Sequence, residues 1–494
     1  MFDPYALVLY GDYLGGGAPL AFGAVNAYAR RVTERTAGRL CSVSREEDGV
    51  MRRTLRGSKD PDEVLQRMAW WVVRLPAMPF RLRATVTRLA KRKALEAFVA
   101  WLVRHGVPLV SEFTFCDLAS LDEYAGLLTH CDAVTVKDCP EANMMTSFTG
   151  LSSLRCVSLY RCGVTNIGPL GTCAALESVT IGDCTELRSL EGIESLKRLK
   201  TLHIQLCRIN SIAPLASCEA LEEVSMVKCP LTSLQALEDH SRLRTFSLCW
   251  SDVPDLHALR TCPNLKDVRL QWCDSLTSLD GIENHTKLQQ LRIIGCRLTS
   301  IIPLASCEAL EEVSIENCRA LTSLQGLEDH SRLRTFSLCW SDVPDLHALR
   351  TCPNLKDVHL QRCDSLTSLE GIENHTKLKA FRVDDGRLTS ITLLSSCEAL
   401  EKVSIVRCPL TSLEGLEHHS RLLDLTVSAC NIPNLLVLRT CPNLESLRVQ
   451  QCFCLASLWG IGNHMKLKNI DRWWLRLHQY RATCLLRSAG GGIH

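Results

Sequence analysis

A chain of 494 residues is too long to fold around one compact core, so it forms either several domains or one elongated array of repeats. Hydrophobic residues make up 46% of the chain and aromatic residues only 5%, which excludes a disordered protein and suits many small aliphatic cores. The formal net charge of +2 excludes a protein that binds polyanions through its overall charge.

The first 49 residues are predicted to be irregular. They carry Asp3 and Asp12, have no basic leading region and are interrupted by glycines, so we expect no signal peptide. The chain has no run of ~18 apolar residues that could span a membrane. Its 27 cysteines lack the CxxC spacing of a compact metal site. We therefore expect an intracellular protein with reduced thiols, in the cytoplasm or the nucleus.

Residues 50–108 are predicted to be a basic, helical N-terminal cap. Apolar side chains such as Leu82 and Val86 are four residues apart, as on a helix face, and two prolines divide the segment into at least two helices. Thirteen basic residues stand against four acidic ones in residues 50–104. We expect this segment to cover the open edge of the array that follows. Binding of nucleic acid or an anionic membrane by residues 50–104 is the alternative.

From residue 109 to 466 the chain repeats a template of 22 or 23 residues. Apolar residues occupy its first, fourth and sixth places and cysteine usually its ninth, as in Leu221, Val224, Met226 and Cys229. The alternation predicts a short strand with one buried face, and apolar residues three apart in the second half predict a turn or 3₁₀ helix. About fifteen units and a degenerate first one would stack into a horseshoe or arc about 70 Å long.

This pattern resembles the 22-residue class of leucine-rich repeats, as in phosphatase regulators and bacterial internalins, whose convex segment reads IxPLxxL. That segment is present at residues 212–215 (IAPL) and 302–304 (IPL). The cysteine-rich segments CPNLKDV and CDSLTSL are similar to those in leucine-rich repeat proteins of trypanosomatid parasites. The resemblance implies an α/β-type solenoid with parallel strands on its concave side and 3₁₀ turns on its convex side. It also implies a protein-binding function without catalytic activity or a cofactor.

The chain also has a longer repeat, in addition to the repeat of 22 or 23 residues. Residues 240–288 match residues 330–378 except for Arg269/His359, Trp272/Arg362 and Asp280/Glu370. Such near-identity indicates a duplication of about four coils. A surface feature common to both copies can therefore be inherited, and carries less weight as a sign of function.

Cysteine and histidine alternate three residues before each unit begins. The positions are Cys218, His240, Cys262, His285, Cys307, His330, Cys352, His375, Cys397, His419, Cys441 and His464. A line of such residues lacks the four converging donors of a zinc site and the third, orienting residue of a nucleophilic pair. We expect these side chains, like the ninth-position cysteines, to be hydrogen-bonded parts of the core.

Residues 467–494 are predicted to form a C-terminal cap helix and a flexible tail. Trp473, Trp474 and Leu477 would supply the apolar side of the helix over residues 471–486. The segment is too short for the catalytic domain that follows the repeats in some bacterial ligases, so we predict that the chain is not an enzyme.

The fifth residue of each unit points away from the core, onto the predicted concave face. Small and basic residues alternate there in pairs, and tryptophans follow at the adjoining edge; exposed aromatic residues beside arginine are typical of binding hot spots. We predict that a protein partner with acidic patches contacts eight residues. They are Arg269, Arg292, His359, Arg382, Arg448, Trp250, Trp272 and Trp340.

These features predict a monomeric, non-catalytic interaction scaffold that serves as a regulatory or targeting subunit. Two alternatives remain open. The substrate-recognition subunit of a ubiquitin ligase would need an adaptor-binding motif in the first 108 residues. A cell-surface receptor would need a signal sequence, paired cysteines and a membrane anchor.

Overall fold

The computed structural model describes residues 41–45, 51–55, 80–86, 92–104, 106, 109–140, 142–457, 459–461 and 466–470. The chain divides into two compact units, the first ending at Pro230 and the second beginning at Leu231. In this part of the chain no helix has the length and apolar character needed to cross a membrane. The predicted C-terminal helix and His464 lie outside the described residues.

The first elements of unit 1 differ in part from the prediction, because three of the four are strands. They are β1 (Cys41–Arg45), β2 (Met51–Leu55), β3 (Phe80–Val86) and α1 (Arg92–Arg104). The strand β1 lies in the segment predicted to be irregular and pairs antiparallel with β2, which pairs parallel with β3. The helical prediction is thus wrong for β2 and β3. Leu82 and Val86 are four residues apart, a spacing that fits a strand of period two as well as a helix.

The rest of unit 1 is a series of coils, each contributing one strand. The strands are β4 (Leu109–Cys116), β5 (Ala133–Lys137), β6 (Cys156–Tyr160), β7 (Ser178–Gly182), β8 (Thr201–Gln205) and β9 (Glu223–Val227). The helix α2 (Ala125–Leu128) and 3₁₀ segments form the return side. The 3₁₀ segments are Asp122–Tyr124, Ala142–Phe148, Gly168–Thr172, Ile193–Ser195 and Ala213–Ser217. Each strand from β4 to β8 pairs parallel with the next.

Unit 2 is also a series of coils, each contributing one strand. Its strands are β10 (Thr245–Cys249), β11 (Asp267–Gln271), β12 (Gln290–Ile294), β13 (Glu312–Glu316), β14 (Thr335–Cys339), β15 (Asp357–Gln361), β16 (Ala380–Asp384), β17 (Lys402–Val406), β18 (Asp424–Ser428), β19 (Ser446–Gln450) and β20 (Asn469–Ile470). Its 3₁₀ segments are Gln235–Leu237, His257–Thr261, Ile302–Ser306, His347–Thr351, Thr392–Ser396 and Leu436–Thr440. Neighbouring strands pair parallel, with equivalent positions side by side. The predicted short parallel strands and 3₁₀ turns are confirmed.

The core repeats in equal portions from coil to coil. Leu243, Phe246 and Leu248 of one coil are 0% exposed, as the first, fourth and sixth places of the template predict. Some ninth-position cysteines link neighbouring coils; for example, Cys273 Sγ donates to the carbonyl oxygen of Leu248 in the preceding coil at 3.7 Å. Stacking therefore buries an apolar stripe that a single coil would leave in water.

The alternating cysteines and histidines lie inside the return side, hydrogen-bonded to backbone carbonyls. Cys262 Sγ donates to Leu237 O at 3.2 Å. The imidazole of His285 is 2% exposed and lies between two carbonyl oxygens, with Nδ1 2.7 Å from Ile282 O and Nε2 2.9 Å from Leu259 O. The expected packing role of this column is confirmed.

Candidate functional site

The outward residues of β10–β19 form one surface of unit 2, which we call the strand face. It consists of the first, third and fifth residues of each strand, apart from the buried Cys249, Cys339 and Ala380, since the second and fourth residues are buried in every strand. Equivalent residues of neighbouring strands pair in register, so the strand face has straight columns of side chains.

The middle column carries the predicted basic residues. Arg269 lies opposite Arg292 on the next strand, and His359 lies opposite Arg382. The two pairs are four strands apart, about 19 Å at 4.8 Å per strand. Arg448 lies opposite Thr426 on β18. The structure thus joins four of the five basic residues into two separate pairs.

Neighbouring acids compensate part of this positive charge. The guanidinium of Arg269 donates to both carboxylate oxygens of Asp267 on its own strand, at 2.6 and 3.2 Å. Arg292, Arg382 and Arg448 are exposed, and none of them forms an ion pair with the residues that the structure describes. These three arginines are therefore available to a ligand.

One residue after each strand adopts the left-handed conformation. Trp250, Trp272, Trp340 and Arg362 have φ values of 55°, 53°, 52° and 50°. The N–H of Trp250 donates to Gln271 O of the next strand at 2.8 Å, so the inter-strand ladder extends to this residue. The left-handed turn ends the strand and places these side chains in a column along one edge of the strand face, which we call the edge column.

Two tryptophans of the edge column form an exposed stack. The ring centroids of Trp250 and Trp272 are 5.3 Å apart with an interplanar angle of 19°. The two residues remain 48% and 36% exposed, respectively. The next member of the column is Gly295, where a Cβ would lie 2.3 Å from the ring of Trp272. The absence of a side chain at Gly295 therefore leaves room for this ring.

The second copy has a different arrangement at the same positions. The Arg362 guanidinium carbon is 4.1 Å from the ring centroid of Trp340, within the range of a cation–π interaction. Arg362 Nε also donates to Asp385 at 3.0 Å, and Arg407 binds both Asp385 and Asp384. Hydrogen bonds from Arg407, with a further contribution from Arg362, lower the pKa of the Asp385 carboxyl. This part of the edge column is therefore internally paired.

The structure brings Trp250 and Trp272 together, but Trp340 lies beside arginine. Sequence reasoning missed the partners of Trp340, of which Arg362 is the nearest. The available signal was the Trp272/Arg362 difference between the two copies, because it predicts an arginine where the first copy has a stacking ring. The guanidinium carbon of Arg319 also lies 5.9 Å from the centroid of the Trp340 ring, and nothing in the sequence indicated this contact.

Metal and thiol chemistry find no support in the described part of the chain. It contains no group of three or more His, Cys, Asp or Glu residues that could hold a metal ion. Its cysteines are not joined in disulfides. Burial raises the pKa of both Cys262 and Cys352 to about 11, so these thiols are protonated and poorly nucleophilic near neutral pH.

Two solved structures resemble this chain in fold. One is an internalin from Listeria monocytogenes, 18% identical with a TM-score of 0.52, which aligns with 58% of this chain over 84% of its own length. The other is a leucine-rich repeat protein from Leptospira interrogans, 15% identical with a TM-score of 0.54, which aligns with 72% of this chain over 93% of its own. No family model matches the sequence, and no curated protein does either.

Proposed function

Because the chain has the leucine-rich repeat fold, we propose that it is a non-catalytic scaffold that binds a protein partner along the strand face of unit 2. One observation supports this most directly. The exposed Trp250–Trp272 stack stands on the same two strands as the third residues Ser247 and Arg269, with Arg292 beside them. Tryptophan and arginine dominate binding hot spots because they bury large surfaces and make directed polar contacts.

The available charge favours a partner with acidic patches. Arg292 is exposed and offers a guanidinium that matches a carboxylate in a bidentate geometry. Arg269 would exchange its internal partner Asp267 for a partner carboxylate or bind beside it. Arg382, His359 and Arg448 would extend the contact along the strand face.

We propose a regulatory or targeting role for this monomeric scaffold, inside the cell. The hydrogen-bonded thiols of the described residues support a reducing location. A ubiquitin-ligase subunit or a surface receptor would use the same face, but the first would also bind an adaptor through residues 1–108.

The test is charge reversal on the strand face. Full-length protein carrying Arg269→Glu and Arg292→Glu should lose partners that the wild type captures from the source cells, as quantified by mass spectrometry. Its melting temperature should stay within about 2 °C, because both side chains are exposed.

The matched control is Arg421→Glu with Arg439→Glu. Both of these arginines are exposed, lie off the strand face and undergo the same change of charge. The control should capture what the wild type captures. Equal capture by the strand-face variant would refute the proposal.

A further inference from the structure

A second basic cluster lies off the strand face, on the edge of unit 2 where the strands begin. It surrounds a cavity of about 260 Å³, which we call the basic notch. Six residues line it: Ser331, Arg332, Arg334, Asn354, Lys356 and Lys377. They flank the first leucines of three successive coils, so the coil stacking itself brings them together. The notch has room for a tetrahedral oxyanion and ordered water.

Internal hydrogen bonds give the notch a defined shape. The Asn354 amide Nδ2 donates to Ser331 O at 2.6 Å, and Lys377 Nζ donates to Asn354 Oδ1. Arg334 is held by Glu311 at 2.9 Å. Arg332 and Lys356 are exposed, and within the described chain neither side chain forms an ion pair. The notch therefore presents uncompensated cations around a fixed amide.

The first duplicated copy contains the same constellation. Its residues are Ser241, Arg242, Arg244, Asn264, Lys266 and Lys287. Asn264 makes the same two hydrogen bonds, donating to Ser241 O at 2.6 Å and accepting from Lys287. This cluster, which we call the notch of the first copy, lies four strands from the other, about 19 Å along the array.

A third, more divergent copy of these coils begins at His419. It shows which notch residues the coil needs for its structure and which it does not need. Asn443 donates to Ser420 O and accepts from Lys466, both at 2.6 Å, as its counterparts do. Leu423 and Glu445 stand there in place of Arg334 and Lys356, whereas Arg421 retains the arginine equivalent to Arg332. The fold thus needs the asparagine but does not need those two cations. The lysine at this place is therefore not required by the coil, and in the notch its charge remains available to a ligand.

Acidic coils limit what that ligand can be. Glu308 and Glu311 precede the notch at Arg332, and Glu398 and Glu401 follow it. A continuous polyanion, such as a nucleic acid strand or an anionic membrane, would have to pass these carboxylates and be repelled by them. A discrete dianion is small enough to contact the exposed Arg332 and Lys356 while Glu311 stays paired with Arg334, so the arrangement favours isolated phosphate groups.

We propose that each notch binds the phosphate monoester of a phosphorylated serine or threonine in a protein ligand, and that the two notches together recognise a doubly phosphorylated segment. Arg332 and Lys356 would donate charge-assisted hydrogen bonds to the phosphate oxygens, as would Arg242 and Lys266 in the first copy. This site is separate from the strand face, so it stands or falls independently of the proposed function.

The probe is a fluorescent glycine–serine peptide with two phosphoserines about six residues apart, a span of about 20 Å when extended. Its binding to the full chain is followed by fluorescence anisotropy. The doubly phosphorylated peptide should bind at least about tenfold more tightly than the singly phosphorylated one, because the second contact becomes intramolecular. The unphosphorylated peptide should not bind.

The variants assign the affinity to each notch. Arg332→Glu with Lys356→Glu should reduce the doubly phosphorylated peptide to the affinity of the singly phosphorylated one, and Arg242→Glu with Lys266→Glu should do the same. Combining both pairs should abolish binding. The control Arg421→Glu changes the equivalent arginine of the divergent third copy and should have no effect. Unchanged melting temperatures confirm that every variant is folded.

Several results would overturn this proposal. They are no binding of either phosphopeptide, equal affinity for both, binding that survives the combined variant, or tighter binding of phosphatidylserine vesicles or poly(dT). The strand-face variant Arg269→Glu with Arg292→Glu should still bind the phosphopeptide. Loss of partner capture and loss of phosphopeptide binding are therefore separate outcomes.

Discussion

Residues 240–288 and 330–378 are two copies of the same segment. Their buried residues are identical, but their surfaces differ at three positions. Phe246 and Phe336 are both 0% exposed, and their strands have the same sequence, TFSLC. The three differences between the copies fall at residues that are exposed in at least one of them. The few changes between the copies therefore lie on the surface. The differences mark where the two copies can bind different ligands.

Position 272 of the first copy and position 362 of the second show the contrast most clearly. Their backbones agree, with φ values of 53° and 50°. Trp272 continues an aromatic stack that remains exposed, whereas Arg362 bridges Trp340 to Asp385. The first copy therefore offers apolar surface to a partner, and the second satisfies its own charges.

The largest expected effect tests the shared interior. Phe246→Ala and Phe336→Ala should each lower the free energy of unfolding by about 3–5 kcal/mol, because both remove a fully buried ring from a packed core. Urea denaturation followed by circular dichroism measures both values. Ser247→Ala, on the outward side of the same strand, is the control. Values for the two phenylalanine variants that differ by more than about 2 kcal/mol would show that the interiors are not equivalent.

The buried thiols should be equally unreactive in the two copies. Raising the pKa of Cys262 and Cys352 from the ordinary 9.0 to about 11 leaves about a hundredfold less thiolate at pH 8. Iodoacetamide labelling of native protein, mapped by mass spectrometry, should modify both slowly and the exposed Cys454 first. Rapid labelling of one copy alone would show that its coil opens.

Residues 272 and 362 of the edge column differ between the copies, and we expect only the substitution in the first copy to weaken partner capture. Trp272→Arg removes the exposed stack and should weaken partner capture at least about tenfold, a hot-spot effect. Arg362→Trp leaves Asp385 paired with Arg407 and should leave capture unchanged. If Arg362→Trp weakened capture as much as Trp272→Arg, the second copy would be the binding surface.

The smallest effect concerns Asp385, which accepts hydrogen bonds from Arg362 of the second copy and from Arg407 of a later coil. Asp385→Asn should lower the free energy of unfolding by about 0.5 kcal/mol at pH 7, the scale of a surface ion pair. The folded state lowers the pKa of Asp385 below the ordinary 3.8, so the stabilisation is present above that pH and is lost as pH falls through the folded pKa. Thermal melts at pH 7 and at progressively lower pH should therefore converge. A constant difference would assign the effect to packing.

The repeat period predicts the strands and the core because every coil obeys the same packing rule. Leu221, Val224 and Met226 are at most 1% exposed, as the template requires. The rule does not extend to β2 and β3, where no repeat distinguishes a strand from a helix. The packing rule also does not predict which side chains pair in the edge column. Whether Trp340 meets a ring or a guanidinium depends on a residue one coil away, at a backbone conformation that hydrophobic periodicity does not reveal.

The left-handed edge column restricts how this surface can diversify. A side chain branched at Cβ is strongly disfavoured at positive φ, and every non-glycine residue with positive φ in the described chain, from Asp117 to Gln451, is unbranched there. Valine, isoleucine and threonine are thus strongly disfavoured throughout the edge column of unit 2. Evolution, or a designer building a randomised library, can draw only on the remaining amino acids to create new recognition along that column.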